Sequence, residues 1–181
     1  MTWDGWPMVA AENATGWTAD EAVARLFAAH YRSLVRLATL LLADRGRAEE
    51  IASDAYVELH RRWHRLDDTD KALAYLRATV VNRSRSALRH RRVVEHHATT
   101  TRFDETVASA ESGALARIGH AAILAEVATL PTRQREALVL RYYAELSEAE
   151  IAEAMGCSRG AVKSHTARGL AALRARTERW S

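Results

Sequence analysis

A chain of 181 residues with 48% apolar content has room for one ordinary domain or two small ones, and it falls in the range of soluble globular proteins. Its formal charge of +3 and pI near 9.3 are mild, so any affinity for nucleic acid has to come from where the charges lie. The single Cys157 excludes an internal disulfide framework and a CxxC-type zinc site, and the longest apolar run, residues 37–43, falls far short of the ~20 residues of a membrane span.

Residues 1 to 17 hold three tryptophans but no period, and they lack the basic stretch of a signal peptide; they read as a lead-in. Ala, Leu, Arg and Glu dominate the rest of the chain and prolines are confined to Pro7 and Pro131, a composition that favours helices throughout. Thr18 and Glu21 have capping-box spacing. Val23, Leu26, Phe27, His30, Leu34, Leu37, Ala38 and Leu41 then recur at helical spacing, predicting a long first helix with this stripe inward. Beyond Asp44-Arg-Gly-Arg47, a second helix places Ala48, Ile51, Ala55, Leu59 and Trp63 inward and leaves Glu49, Glu50, Ser53, Asp54 and Val57 outside.

Asp70 is placed to cap a third helix, Lys71 to about Arg92. Its buried stripe is Leu73, Leu76, Val80, Ser84, Ala87 and Leu88, so Tyr75, Asn82, Arg85, Ser86 and Arg89 fall together on the opposite, basic face. An aromatic and an amide among arginines suit stacking and hydrogen bonding to unstacked bases in a single strand. From Val93 to about residue 118 the period dissolves into a threonine-rich stretch read as a flexible linker of about 25 residues. A second helical unit starts near His120. Ala122, Ile123, Val127 and Leu130 face inward in it, Pro131 stands in the first turn of the next helix, and Ala137, Leu138, Leu140 and Arg141 come after it.

"LSEAEIAEAMGCSRGAVKSHTARGLAAL" closes the series. Ser147 and Glu150 make another capping box, Ile151, Ala152 and Met155 an apolar side, and Gly156 sits where a helix end wants a left-handed residue. Ser158 caps the next helix, on which Val162, Thr166, Gly169, Leu170 and Leu173 face the core. Gly160, Ser164, Ala167 and Arg168 face out, flanked by Lys163 and Arg174. Small residues allow a DNA backbone close, cations meet phosphates, and Ser158 and Arg159 at the N-terminal end are placed to probe a major groove in helix-turn-helix fashion. Enzyme readings have little to rest on. His96-His97 lacks carboxylate or cysteine partners at ligand spacing, and there is no P-loop, GxGxxG or HExxH. The residues offer no catalytic set, metal site or cofactor.

"RAEEIASDAYVELHRRWHRL", "AYLRATVVNRSRSALRHRR" and "LPTRQREALVLRYYAELSEAEIAEAMGCSRGAVKSHTARGLAALR" resemble regions 2.2, 2.3–2.4 and 4 of bacterial RNA polymerase sigma factors of the extracytoplasmic-function type, most closely the actinobacterial sigma-E-like branch. The resemblance implies an all-α chain of two small helical domains. One is sigma2, a three- to four-helix bundle over residues 18–92; a flexible linker over 93–118 joins it to sigma4, a helix-turn-helix domain over 119–178. It implies core RNA polymerase as partner, through the clamp of the largest catalytic subunit and the flap region, together with promoter DNA and, as a further candidate, an anti-sigma factor. The single cysteine and the short apolar runs read as a soluble cytoplasmic protein without membrane insertion. By the same match Glu49, Glu50, Ser53 and Asp54 fall where the family docks on the clamp. Tyr75, Asn82, Arg85, Ser86 and Arg89 fall where it reads and opens the −10 element, and Ser158, Arg159, Lys163, Ser164, His165 and Arg168 on its −35 recognition helix. Four departures bear on promoter sequence and clamp affinity rather than on class. Ser53 replaces a usual glutamine, Arg83 a common apolar residue, Tyr75 a frequent tryptophan and His165 a frequent arginine.

Reach agrees with this. DNA sites two helical turns apart lie ~70 Å from each other, and about 25 extended residues span ~80 Å. Two other readings of the same residues stay open at this stage. A stand-alone helix-turn-helix regulator with an N-terminal sensing or dimerisation domain would bind duplex tightly without polymerase, and a purely protein-binding adaptor would not need Lys163 or Arg168.

Overall fold

The computed structural model describes residues 17–66, 68–97 and 125–177, with the side chains of 69, 92–97 and 177 excepted. The lead-in through residue 16, most of the expected linker, and Ala122 and Ile123 lie outside the described residues. Every regular element among the described residues is helical. Helix α1 spans Ala19–Leu42, α2 Arg45–Arg62 and α3 Ala72–His97. A helical stretch at 125–129 precedes α4, Thr132–Leu138, which runs into a wider π turn, Val139–Tyr143. Helices α5, Glu148–Met155, and α6, Arg159–Thr177, complete the described residues.

Local chemistry sets these boundaries. The Thr18 side chain accepts from the Glu21 N–H while the Glu21 carboxylate accepts from the Thr18 N–H at 2.9 Å, closing a reciprocal capping box on α1. Asp44 does more than break the chain: its Oδ1 accepts from the Arg47 N–H at 2.9 Å and caps α2. Pro131 is the N-cap of α4, one position ahead of the first helical turn in which the sequence puts it. Helix α3 begins one residue later than expected, behind a 3₁₀ turn at Thr69–Lys71, and continues through His97. Val93–His97, read from the sequence as linker, are therefore helical.

Leu34, Leu37, Leu41, Ile51, Leu59, Trp63, Leu76 and Val80 close the core of the first three helices. Two expectations on α1 and α3 fail. Phe27 is 44% exposed, because the helix turns Ala22 and His30 inward and leaves Phe27 stacked on Tyr31 at 4.2 Å. Leu73 is only half-buried, and Val81 and Ala72 are buried instead. The reason for the second is a second neighbour: α3 packs against α1 and α2 on one side and against α5 on the other. A helix with two packed sides shows no clean polar face in its periodicity. Most of the buried apolar residues accordingly form one cluster that runs from α1 through Leu140, Ile151 and Met155 to Val162.

His30 lies in this core, 5% exposed, and burial followed by the nearby Arg77 charge holds its imidazole below the ordinary value of 6.5. The folded protein thus binds fewer protons at His30 than the unfolded chain. Stability is full above pH 6.5 and declines as pH falls through the unfolded value toward the depressed folded one. For one such group the slope reaches ~1.4 kcal/mol per pH unit. Urea titrations between neutral and mildly acidic pH should show it, and His30→Gln should flatten it even if its overall stability is lower.

Candidate nucleic-acid interface

The end of the chain forms the helix-turn-helix. Ser147 and Glu150 close a capping box on α5, with Ser147 N–H to Glu150 Oε2 at 2.8 Å. Gly156 stops the helix at φ 60, ψ 50, where a side chain would be strained, and the Cys157 N–H returns to the Ala152 carbonyl at 3.0 Å. Gly156, Cys157 and Ser158 form the expected three-residue hinge, and Ser158 Oγ accepts from the Ala161 N–H at 3.2 Å to start α6. Gly169 is placed where α6 crosses α4: a Cβ there would stand 2.9 Å from Leu138 Cδ1. That missing side chain lets α6 seat against α4 and fixes the angle at which its other face is presented.

On that other face Ser158, Arg159, Gly160, Lys163, Ala167 and Arg168 are exposed, while Ser164 and His165 are half-buried. Lys163 reaches Glu148 only at 3.7 Å with 68% of its side chain exposed, a pair worth little in water. Cations thus flank a low-profile centre on the outer face of α6.

The α3 set divides. Asn82, Ser86 and Arg89 lie toward solvent, with Arg89 Nη2 donating to Ser86 Oγ at 3.1 Å. Tyr75 is half-buried and its hydroxyl donates to Glu58 Oε1 at 3.0 Å; burial and that carboxylate push the phenol pKa up. Arg83 also lands on α2, donating to Asp54 Oδ2 at 2.9 Å and Glu58 Oε2 at 3.0 Å. Burial opposes ionisation of Glu58, but the hydrogen bonds from Arg83 and Tyr75 outweigh it and lower its pKa. Arg85 departs from the outer placement expected of it. Its side chain is 17% exposed and donates in a bidentate fork to Glu136 of α4, Nε to Oε1 and Nη2 to Oε2, both at 2.8 Å. Sequence reasoning missed Glu136 because a carboxylate inside an apolar-periodic helix reads as a solvated position; it is 2% exposed.

The α2 acids lie on the face away from the core. Glu49 pairs with Arg45 at 3.0 Å, Glu50 pairs with Arg47, and Asp54 remains 60% exposed beside Arg83. Ser53 Oγ lies 3.4 Å from the Tyr31 hydroxyl. The stacked Phe27 and Tyr31 and the 49% exposed Val57 border the same face, so an apolar patch accompanies the acids; the sequence places Val57 there but puts Phe27 in the core. None of the helices among the described residues is long and apolar enough to cross a membrane.

Comparison with known proteins supplies the family. The models for Sigma-70 region 2 and Sigma-70, region 4 match residues 26–93 and 120–173. The RNA polymerase sigma-E factor of Streptomyces avermitilis is 32% identical over 146 residues, covering 81% of this chain and 79% of that one. Its counterpart in Streptomyces coelicolor is 33% identical over 143 residues, 78% of each. Among solved structures, the sigma factor RpoE of Bartonella quintana, in complex with the anti-sigma factor NepR, matches with a TM-score of 0.73 at 20% identity over 86% of this chain and 96% of that one. CnrH, in complex with the cytosolic domain of CnrY, matches with a TM-score of 0.68 at 23% identity over 94% and 96%. The chain belongs to the sigma-70 family, among the extracytoplasmic-function, sigma-E-like factors that confer promoter specificity on bacterial RNA polymerase and initiate transcription.

Proposed function

We propose that the work is divided among three surfaces. Sigma4, beginning near residue 119, sets α6 in the −35 major groove, with Ser158, Arg159, Lys163, Ser164, His165 and Arg168 as its contacts. Sigma2, from Thr18 through α3, holds unstacked −10 bases with Tyr75, Asn82, Arg85, Ser86 and Arg89. Glu49, Glu50, Ser53 and Asp54 dock on the polymerase clamp, and Phe27 and Val57 extend that contact; the flap region is the partner of sigma4. The observation that carries this reading is the pairing, in one chain, of a capped recognition helix bearing exposed cations with a second basic helix that bears an amide and an aromatic.

The protein contributes binding energy rather than bond chemistry, so it is not itself an enzyme, and it acts in the cytoplasm. The similar RpoE was solved with an anti-sigma factor bound, and an inhibitor of that class is proposed as a partner here. In a test with core RNA polymerase and a pool of genomic fragments, the purified chain should direct transcription from discrete start sites, while binding duplex weakly by itself. Tight, symmetric duplex footprints without polymerase, or no transcription from any fragment, would overturn the assignment.

A further inference from the structure

We propose that Glu58 is a positioning residue for −10 capture: its carboxylate holds the Tyr75 ring in one orientation before a base arrives, and Arg83 holds the carboxylate. This rests on the assignment of Tyr75 to unstacked −10 bases. The Tyr75 hydroxyl donates to Glu58 Oε1 at 3.0 Å, and Arg83 Nη2 donates to Glu58 Oε2 at 3.0 Å. Each carboxylate oxygen thus has its own donor, and the two donors stand about two turns apart on α3, which fixes the plane of the group as well as its place. Arg83 is itself fixed, because its Nη1 donates to Asp54 Oδ2 at 2.9 Å, one turn back on α2. Arg62 stands on the other flank, its Nε 3.5 Å from Glu58 Oε1. Tyr75 and Arg83, two of the chain's four departures from the family pattern, therefore meet at one side chain.

The fold does not need this carboxylate to join the two helices. Helices α2 and α3 already share an apolar core that includes Leu59, Leu76 and Val80, whereas the Glu58 side chain lies at its rim, 29% exposed. A carboxylate on a surface that meets DNA also repels phosphate, so its place there calls for a gain that outweighs the repulsion. Orientation supplies one. A base that stacks on a freely turning ring must first order it, and a tethered ring has met that cost before binding. Burial opposes ionisation of Glu58, but the Arg83 and Tyr75 hydrogen bonds keep it ionised, so the phenol donates to a charged acceptor and is held more firmly than by a neutral one. Phenylalanine in place of Tyr75 would keep the stacking face and lose the tether.

The test separates reach from charge. Full-length chain is assembled with core polymerase, and fluorescence anisotropy reads its affinity for the single-stranded non-template −10 segment of a promoter recovered from the genomic pool. Glu58→Asp keeps the charge but falls one methylene short of Tyr75, and Glu58→Gln keeps the reach and an acceptor oxygen without the charge. The expected result is about fivefold weaker binding for Glu58→Asp and for Tyr75→Phe, one hydrogen bond's worth each, with no further loss when the two are combined and wild-type binding for Glu58→Gln. An aspartate variant that binds like the wild type, a glutamine variant as weak as the aspartate one, or losses that multiply in the double variant overturn the proposal. If circular dichroism shows Glu58→Asp unfolded, Tyr75→Phe decides, and wild-type binding by it overturns the tether. Failure of the sigma assignment looks different, since the wild type would then start transcription from no fragment of the pool.

Discussion

With Arg159, Lys163 and Arg168 all changed to alanine, holoenzyme should lose about a hundredfold in affinity for a −35 duplex, at roughly 1 kcal/mol for each charged contact removed. The slope of log affinity against log salt should become shallower by about 3, one released counterion for each lost phosphate contact. The three side chains qualify because nothing inside the fold requires them. All are exposed, Arg159 stands in the first turn of α6, and the pair that Lys163 makes with Glu148 is a loose 3.7 Å contact with 68% of the lysine side chain in solvent. Their removal should therefore leave the stability within ~0.5 kcal/mol of the wild type, as for ordinary surface substitutions. Single-strand binding by sigma2 should also be unchanged, which separates a −35 defect from global damage. A triple variant with wild-type duplex affinity and salt slope would mean that α6 does not lie in the groove.

How much of this was legible in the sequence depends on how local each determinant is. The capping boxes at Thr18 and Ser147, the left-handed Gly156 and the Ser158 cap depend on residues within one turn, and each appears where its spacing predicts. The outer face of α6 is legible for the same reason: one packed side, against α4 and α5, leaves the other open. Helix α3 is different. It is packed on two sides, so a single stripe misassigned Leu73, overlooked Val81 and turned Arg85 outward, when its partner Glu136 lies far along the chain. Arg83 shows the same limit, since its partners Asp54 and Glu58 lie on α2 and a basic helix face carries no sign of acids supplied by a neighbour. Phe27 went astray through an excess of apolar positions on α1: the helix has more large side chains than its core side holds, and the surplus forms the stacked patch beside the acids of α2.

Arg135→Ala should produce the larger stability loss, about 3 kcal/mol or more in urea unfolding, because it strands several buried carbonyls at once. The residue is 6% exposed. Its guanidinium donates to the carbonyls of Ala128 and Leu130 (Leu130 at 3.2 Å), tying α4 to the turn that leads into it, and reaches across to the Leu41 carbonyl near the end of α1. No water replaces the lost donors in a site this closed without opening it, and a buried acceptor without a partner costs ~1–3 kcal/mol. Lysine is an informative contrast. It keeps the charge but offers one flexible ammonium in place of a planar fork spanning several acceptors, so Arg135→Lys should recover only part of the loss. Helix α4 supports α6 through Leu138 and Gly169, so the damage should reach function: −35 binding ought to weaken in Arg135→Ala although no DNA-facing side chain has changed. An alanine variant as stable as the wild type would show that the carbonyls find other donors and that α4 owes its position to contacts other than this one side chain.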